Sequence, residues 1–204
     1  MKNYIVFDLE WNQSANGKER SVPHFPFEII EIGAVKLNEN FQMTGEFHRL
    51  VRPQVYTQMH HAISEVTHMN MKELRNSGEL FPNAATEFLA WCGEDAVFCT
   101  WGNMDLLELQ RNMDYYHMEN PFSKPLLYYD VQKLYGLFCR ENARISLDSA
   151  VEEQNLMEER PFHRALDDAY YTGKLLTMLG QTPGPDAILP FWSVDYYRLP
   201  SDKK

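Results

Sequence analysis

Asp8 and Glu10 end the apolar run Tyr4-Ile5-Val6-Phe7 in the segment YIVFDLE. Side chains alternate along a strand, so residues i and i+2 share one face. On a strand, these two carboxylates project side by side from its end. Like charges that close repel unless something positive stands between them. A divalent cation with oxygen ligands is the usual remedy. The pair therefore reads as half of a metal site.

Further carboxylates and a base are needed to complete such a site, and two places supply them. Asp105 lies in TWGNMDLLEL, in the first turn of an expected helix that follows a short buried strand. Asp168 lies in FHRALDDAYY, with His163 five residues ahead of it. In open α/β sheets, ligands gather where strand ends meet the adjoining loops and helices. All four carboxylates and the histidine can converge there.

The elements that must position them follow from periodicity and punctuation. Residues 3–10, 28–38, 44–52, 96–101 and 126–129 read as strands. Residues 58–68, 81–92, 103–117, 130–141, 147–154 and 162–179 read as helices, with Asn103 and Ser146 as expected N-caps. Residues 11–27 carry Gly, Pro, Asn and Ser without periodicity and read as a long loop, of the kind that is usually functional or mobile. Three strands, then strands alternating with helices, predict an α/β fold with a central mixed five-stranded sheet flanked by helices. The expected organisation is one domain over residues 1–180 and a Pro- and aromatic-rich tail over 181–204 packed on it. The tail's alternative use is an oligomer or partner contact.

Composition narrows the setting. The chain has 204 residues, ordinary hydrophobic and charged fractions of 44% and 24%, and no apolar run long enough for a membrane span. The N-terminal apolar stretch is short and runs into acidic residues, so a cytoplasmic address without membrane association is expected. Cys92, Cys99 and Cys139 form no CxxC pair and read as buried free thiols. The net charge of −10 argues against tight non-specific binding to long duplexes. It leaves room for an enzyme whose metal ions supply the local positive charge.

YIVFDLE, TWGNMD and FHRALDD, in that order, resemble the three motifs of the DEDDh 3′→5′ exonucleases, which have a ribonuclease H-like fold. EIIEIGAVKLN matches that family's second strand, and the resemblance spans about residues 3–180. TWG and the LVRP segment at 50–53 look most like the branch of histone-mRNA and small-RNA 3′ exonucleases and bacterial sporulation-inhibitor exonucleases. In the family the histidine precedes the metal aspartate by five residues, which selects Asp168 over Asp167. Asp167 then reads as a solvated first-turn acid. Since i and i+5 differ by about 140° around a helix, His163 must stand at or before the helix start.

The resemblance implies two Mg²⁺ or Mn²⁺ ions clamping an in-line displacement at phosphorus. Asp8 would bridge both ions, Glu10 and Asp168 would complete the site that holds the attacking water, and Asp105 would hold the second ion through water. His163 would take the proton from that water. The expected products are nucleoside 5′-monophosphates, and the expected substrate is single-stranded RNA or short oligonucleotides. At Leu9 the family holds the terminal nucleotide through the backbone. Trp11 is either a base-stacking platform or a core residue at the strand end. Lys18, Arg20 and Arg164 are either phosphate contacts or solvated charges, and Trp101 reads as core.

Thr67 falls in Val66-Thr67-His68-Met69, where many relatives have Thr-Gly-Ile. Here His68 replaces the glycine that lets the chain approach the terminal nucleotide. The other histidines, His60, His61 and His68, lack the i, i+4 spacing of a helical zinc site and read as surface or core residues. Two further readings stand beside the leading one. A DNA-directed 3′→5′ exonuclease of proofreading or repair type would lack a pocket for the 2′-OH. A non-catalytic module that binds RNA ends or proteins would be expected to lose ligands, and here all are present.

Overall fold

The computed structural model describes residues 3–15, 21–122, 126–139, 145–157 and 160–181, and the backbone of 195–197. In chain order the elements are β1 (Asn3–Asn12), β2 (Glu28–Leu37), β3 (Met43–Leu50), α1 (His61–Thr67), α2 (Met71–Ser77), α3 (Phe81–Cys92), β4 (Ala96–Thr100), α4 (Met104–Tyr115), β5 (Leu126–Asp130), α5 (Val131–Cys139), α6 (Leu147–Glu153), α7 (Ala165–Gln181) and β6 (Asp195–Tyr197). They form one mixed sheet in the order β3-β2-β1-β4-β5-β6. β1–β2, β2–β3 and β5–β6 are antiparallel, while β1–β4 and β4–β5 are parallel. The five expected strands are present, flanked by helices, and β6 extends the sheet beyond β5.

β1 is buried on both faces, and its alternation sorts the core. Ile5, Phe7 and Leu9 join Phe81, Ala84 and Phe88 of α3 and Leu106, Leu109 and Met113 of α4. Val6 joins Val35 and Leu37 of β2, Val131 and Leu134 of α5, and Leu176 and Leu179 of α7. α3 and α4 therefore cover one face of the sheet, and α5 and α7 the other. Asp8 and Glu10 continue the Val6 face, so they emerge beneath the start of α7.

Several boundaries differ from expectation, each for a local reason. The helix expected from 58 begins only at His61, because Asn12 captures the preceding backbone. Its Nδ2 donates to the carbonyls of Tyr56 and Gln58, and its Oδ1 accepts the His60 amide. The unexpected α2 is capped by Asn70, whose Oδ1 accepts the Glu73 amide. Asn103 and Ser146 stand at the N-cap positions of α4 and α6 without side-chain cap bonds. The Ser146 hydroxyl instead donates to Asp148. Cys92 and Cys99 are buried free thiols, and Cys139 is free and half-buried. Apart from β6, the tail beyond residue 181 lies outside the described residues, as do Lys18 and Arg20.

Candidate active site

β1 delivers Asp8 and Glu10 from its C-terminal half. Opposite them in the antiparallel ladder stand Gly33 and Glu31 of β2, on the same face. A β-bulge between Glu10 and Trp11 then turns the strand end. α7 brings the third carboxylate. Oxygens of Asp8, Glu10 and Asp168 all lie within 4.8 Å of one another, the one such group of His, Cys, Asp or Glu among the described residues.

α7 comes this close because β2 has no side chain at Gly33. A Cβ there would lie 2.0 Å from the Leu166 amide nitrogen and 2.1 Å from the Ala165 carbonyl carbon. Glu31, two residues earlier on the same face, is buried beneath the helix start. Its carboxylate accepts from Arg164 Nη2 at 2.7 Å, Arg164 Nε at 3.2 Å and the Ala165 amide at 3.1 Å. His48 Nε2 of β3 stands 2.7 Å from the same carboxylate. Burial alone would raise the Glu31 carboxyl, but His48, Arg164 and the Ala165 amide outweigh it and hold it below its ordinary range.

His163 lies two residues before α7, exposed, in the left-handed conformation with φ of 66°. Its amide donates to both oxygens of Asp168 at 3.2 Å. The five-residue spacing thus serves a backbone bond that returns Asp168 to His163, two residues before the helix. Phe162 stacks on Tyr171 with ring centroids 4.8 Å apart, and the Tyr171 hydroxyl donates to the Arg160 carbonyl. These contacts anchor the segment just before the histidine on α7, and the histidine itself is exposed.

Asp105 reaches the site from the other face, in the first turn of α4. It is 5% exposed, and its Oδ1 accepts the Leu9 amide at 3.2 Å. It stands outside the group of three oxygens. The four carboxylates nonetheless sense one another. Burial, followed by Asp105, Glu10 and Asp168, raises Asp8 well above the carboxylate range. Burial and Asp168 push Glu10 up to about 8. Asp105 and Asp168 are each raised to about 7, mainly by burial.

The expected substrate contacts meet different surroundings. The Leu9 amide is occupied by Asp105, and its side chain is in the core. Trp11 is partly buried beside Phe27, with centroids 5.6 Å apart. Thr67 is buried, donating to the Ile63 carbonyl and accepting the Met69 amide. His68 adopts φ 57° and ψ 15°, the left-handed cap conformation that glycine favours. Arg164 has two of its three nitrogens engaged by Glu31. Trp101 packs against the α5–α7 side of the core.

Three polar residues outside the expected site also shape this region: Asn12, Glu28 and Glu31. Glu28 is fully buried, and its carboxylate accepts the amides of Gln54, Val55 and Tyr56 and the Tyr116 hydroxyl. With Asn12 it ties the chain ahead of α1 to the end of β1. The available signal was charge inside the apolar run EIIEIGAV, since buried carboxylates need partners.

The family model RNase_T, described as an exonuclease, matches residues 5–176. The probable 3′-5′ exonuclease KapD of Bacillus subtilis (strain 168) is 27% identical over 178 residues, covering 87% of this chain and 84% of KapD. The nuclease domain of 3′hExo, a DEDDh family member, bound to rAMP, is 21% identical with a TM-score of 0.74, covering 97% of each chain. Escherichia coli Exonuclease I in complex with a dA16 oligonucleotide gives a TM-score of 0.74 at 13% identity, over 94% of this chain and 43% of that one. The two structures share the fold, and the family match spans the strands and helices that carry the three motifs. The chain belongs to the RNase_T exonuclease family and is a 3′→5′ exonuclease of the DEDDh kind that its motifs resemble.

Proposed function

We propose that this exonuclease works by a two-metal-ion mechanism, with Asp8, Glu10, Asp105 and Asp168 as the metal-holding residues and His163 as general base. The observation that carries this reading is the convergence of three carboxylates from β1 and α7 within 4.8 Å. Their donor set is all oxygen, which suits hard divalent ions such as Mg²⁺ or Mn²⁺. Burial and mutual repulsion make the site costly when charged and uncompensated, so its chemistry fits a cation. When bound, such ions polarise the phosphoryl oxygen, lower the pKa of bound water and stabilise the departing 3′ oxygen.

The chain's own groups divide the remaining work. Asp8 has an oxygen within 4.8 Å of Glu10 and Asp168, and it also feels the charge of Asp105, which suits a shared ligand. Asp168 accepts the His163 amide, and Glu10 has an oxygen within 4.8 Å of Asp168. Asp105, tied to the Leu9 amide, reaches the site from the other face. The His163 ring is exposed, and histidine is the side chain best suited to take a proton near neutral pH. Its backbone bond to Asp168 couples the base to the carboxylate beside it.

The substrate we propose is single-stranded RNA or short oligonucleotides, cut to nucleoside 5′-monophosphates. Support comes from the TWG and LVRP segments, and from fold neighbours that include a 3′-exonuclease recognising the histone mRNA stem-loop. The net charge of −10 favours short substrates over long duplexes. The test is a competition between RNA and DNA oligonucleotides of equal sequence. Faster release from RNA is expected, and a preference for DNA overturns the substrate assignment. Asp8→Ala and Asp168→Ala should abolish metal-dependent release while the fold is retained. Unchanged release in either would remove the metal assignment.

A further inference from the structure

We propose that Glu31 is a positioning residue for this active site, fixing the 163–168 segment against Asp8 and Glu10 through Arg164 and the Ala165 amide. The inference deepens the proposed function, because it rests on the roles given there to His163 and Asp168.

Three observations converge on Glu31. It faces Glu10 directly in the β1–β2 ladder, so its position is fixed by the strand that carries the first two carboxylates. Its side chain is 1% exposed, and both oxygens are used, by Arg164, Ala165 and His48. The groups it holds lie inside the catalytic segment, between His163 and Asp168: Arg164 directly follows His163, and Ala165 is the first residue of α7. Arg164 is held through two nitrogens, a geometry that sets orientation as well as distance.

A second arginine clamps the segment from its other side. Arg160 meets Glu46 of β3 at 3.1 Å and Asp167 at 3.6 Å, with its guanidinium 3.8 Å from the centre of the Tyr170 ring. His163 therefore sits between two arginines, each tied to the β2–β3 side of the sheet. The Glu31 clamp is the buried one, and it alone also takes an amide from the start of α7. A helix could be seated on β2 by apolar contact, as Leu176 and Val35 do farther along. Glu31 instead adds negative charge beside Asp8, Glu10 and Asp168, raising each of them. A charge in so unfavourable a place is explained by what it orients.

The alternative role for Arg164 is a phosphate contact, and kinetics separate the two. Glu31→Gln, Arg164→Met and Arg164→Lys are compared with wild type on a single-stranded oligonucleotide at saturating Mg²⁺. Positioning predicts that kcat falls roughly ten- to a hundredfold in all three, since small misplacements are costly, with KM nearly unchanged. Lys keeps the charge but not the two-nitrogen geometry, so it should fail to rescue. The double variant Glu31→Gln/Arg164→Met should be no worse than the weaker single variant, as expected for residues acting through one contact.

Hydrogen exchange supplies a readout independent of turnover. In metal-free protein, each variant should exchange the amides of residues 163–165 faster than wild type. Raised KM with kcat kept, rescue by Lys, multiplied losses or unchanged exchange would each overturn the proposal. If Glu31→Gln does not fold, the partly exposed Arg164 variants still decide the question. If wild type releases no nucleotide with any divalent ion, the proposed function fails, and the exchange result still judges the positioning role.

Discussion

Gly33 and Leu166 meet backbone to backbone, so that a Cβ on Gly33 would lie 2.0 Å from the Leu166 amide nitrogen. Gly33 also stands opposite Asp8 in the β1–β2 ladder. The missing side chain is thus what lets α7 bring Asp168 to the strand carboxylates. Gly33→Ala should push α7 off the sheet, because neither backbone can yield cheaply. The expected destabilisation is at or beyond the upper end of about 1–3 kcal/mol for overpacking. Denaturant unfolding and initial rates should show stability and nucleotide release falling together. Wild-type rates in a folded Gly33→Ala protein would contradict this reading.

His163→Ala should separate chemistry from structure. The ring is exposed, and the bond to Asp168 is made by the backbone amide, which alanine keeps. The rate should fall by roughly 10²–10⁴, the usual contribution of a general base. Divalent-ion affinity measured by calorimetry, and the melting temperature, should stay close to wild type. A loss of ion affinity as large as the loss of rate would assign His163 to the metal-holding group instead.

Stability without cations should depend on pH in a defined direction. Burial, then repulsion from neighbouring carboxylates, raises Glu10 to about 8 and Asp168 to about 7 in the folded chain. The unfolded carboxyls titrate near about 4. Between those values the folded protein binds more protons than the unfolded one, so stability falls as pH rises through the window. In EDTA the melting temperature should drop from about pH 5 to about pH 8 as these groups ionise. Added Mg²⁺ should stabilise more at the higher pH, where its ligands are already deprotonated. Asp8→Asn should flatten both trends, and an Mg²⁺ effect unchanged in that variant would contradict the assignment.

His68 carries the cap conformation of α1 that a glycine adopts without strain. Its side chain is exposed, with φ of 57°. His68→Gly should raise stability by about 1 kcal/mol, since left-handed backbone costs a side-chain-bearing residue about that much. Thermal unfolding checks it, and a destabilised variant would mean that the imidazole makes a compensating contact.

Much of this architecture is legible in the chain. The run Tyr4–Phe7 with Asp8 and Glu10 behind it announces both a strand and the face that carries charge. The spacing from His163 to Asp168 puts the histidine at or before the helix start, and the helix expected from 162 begins at Ala165. What escapes is of two kinds. α2 is only seven residues long and buries Leu74 alone, too little for a helical period, although Asn70 and Glu73 form a readable cap. Glu31 and Gly33 are plain in the sequence, but their partners lie more than 130 residues away in α7. No local pattern names a partner at that distance. His68 shows the converse case, a residue that departs from the family spelling and adopts the left-handed backbone that glycine favours.

The proposed mechanism is tested most directly on 5′-labelled single-stranded RNA and DNA of equal sequence, with Mg²⁺, with Mn²⁺ and with EDTA. The expected result is a ladder that shortens one nucleotide at a time from the 3′ end, only when a divalent ion is present, and faster on RNA. Asp8→Ala should leave the label at full length. Internal cuts, or shortening that persists in EDTA, would contradict the mechanism.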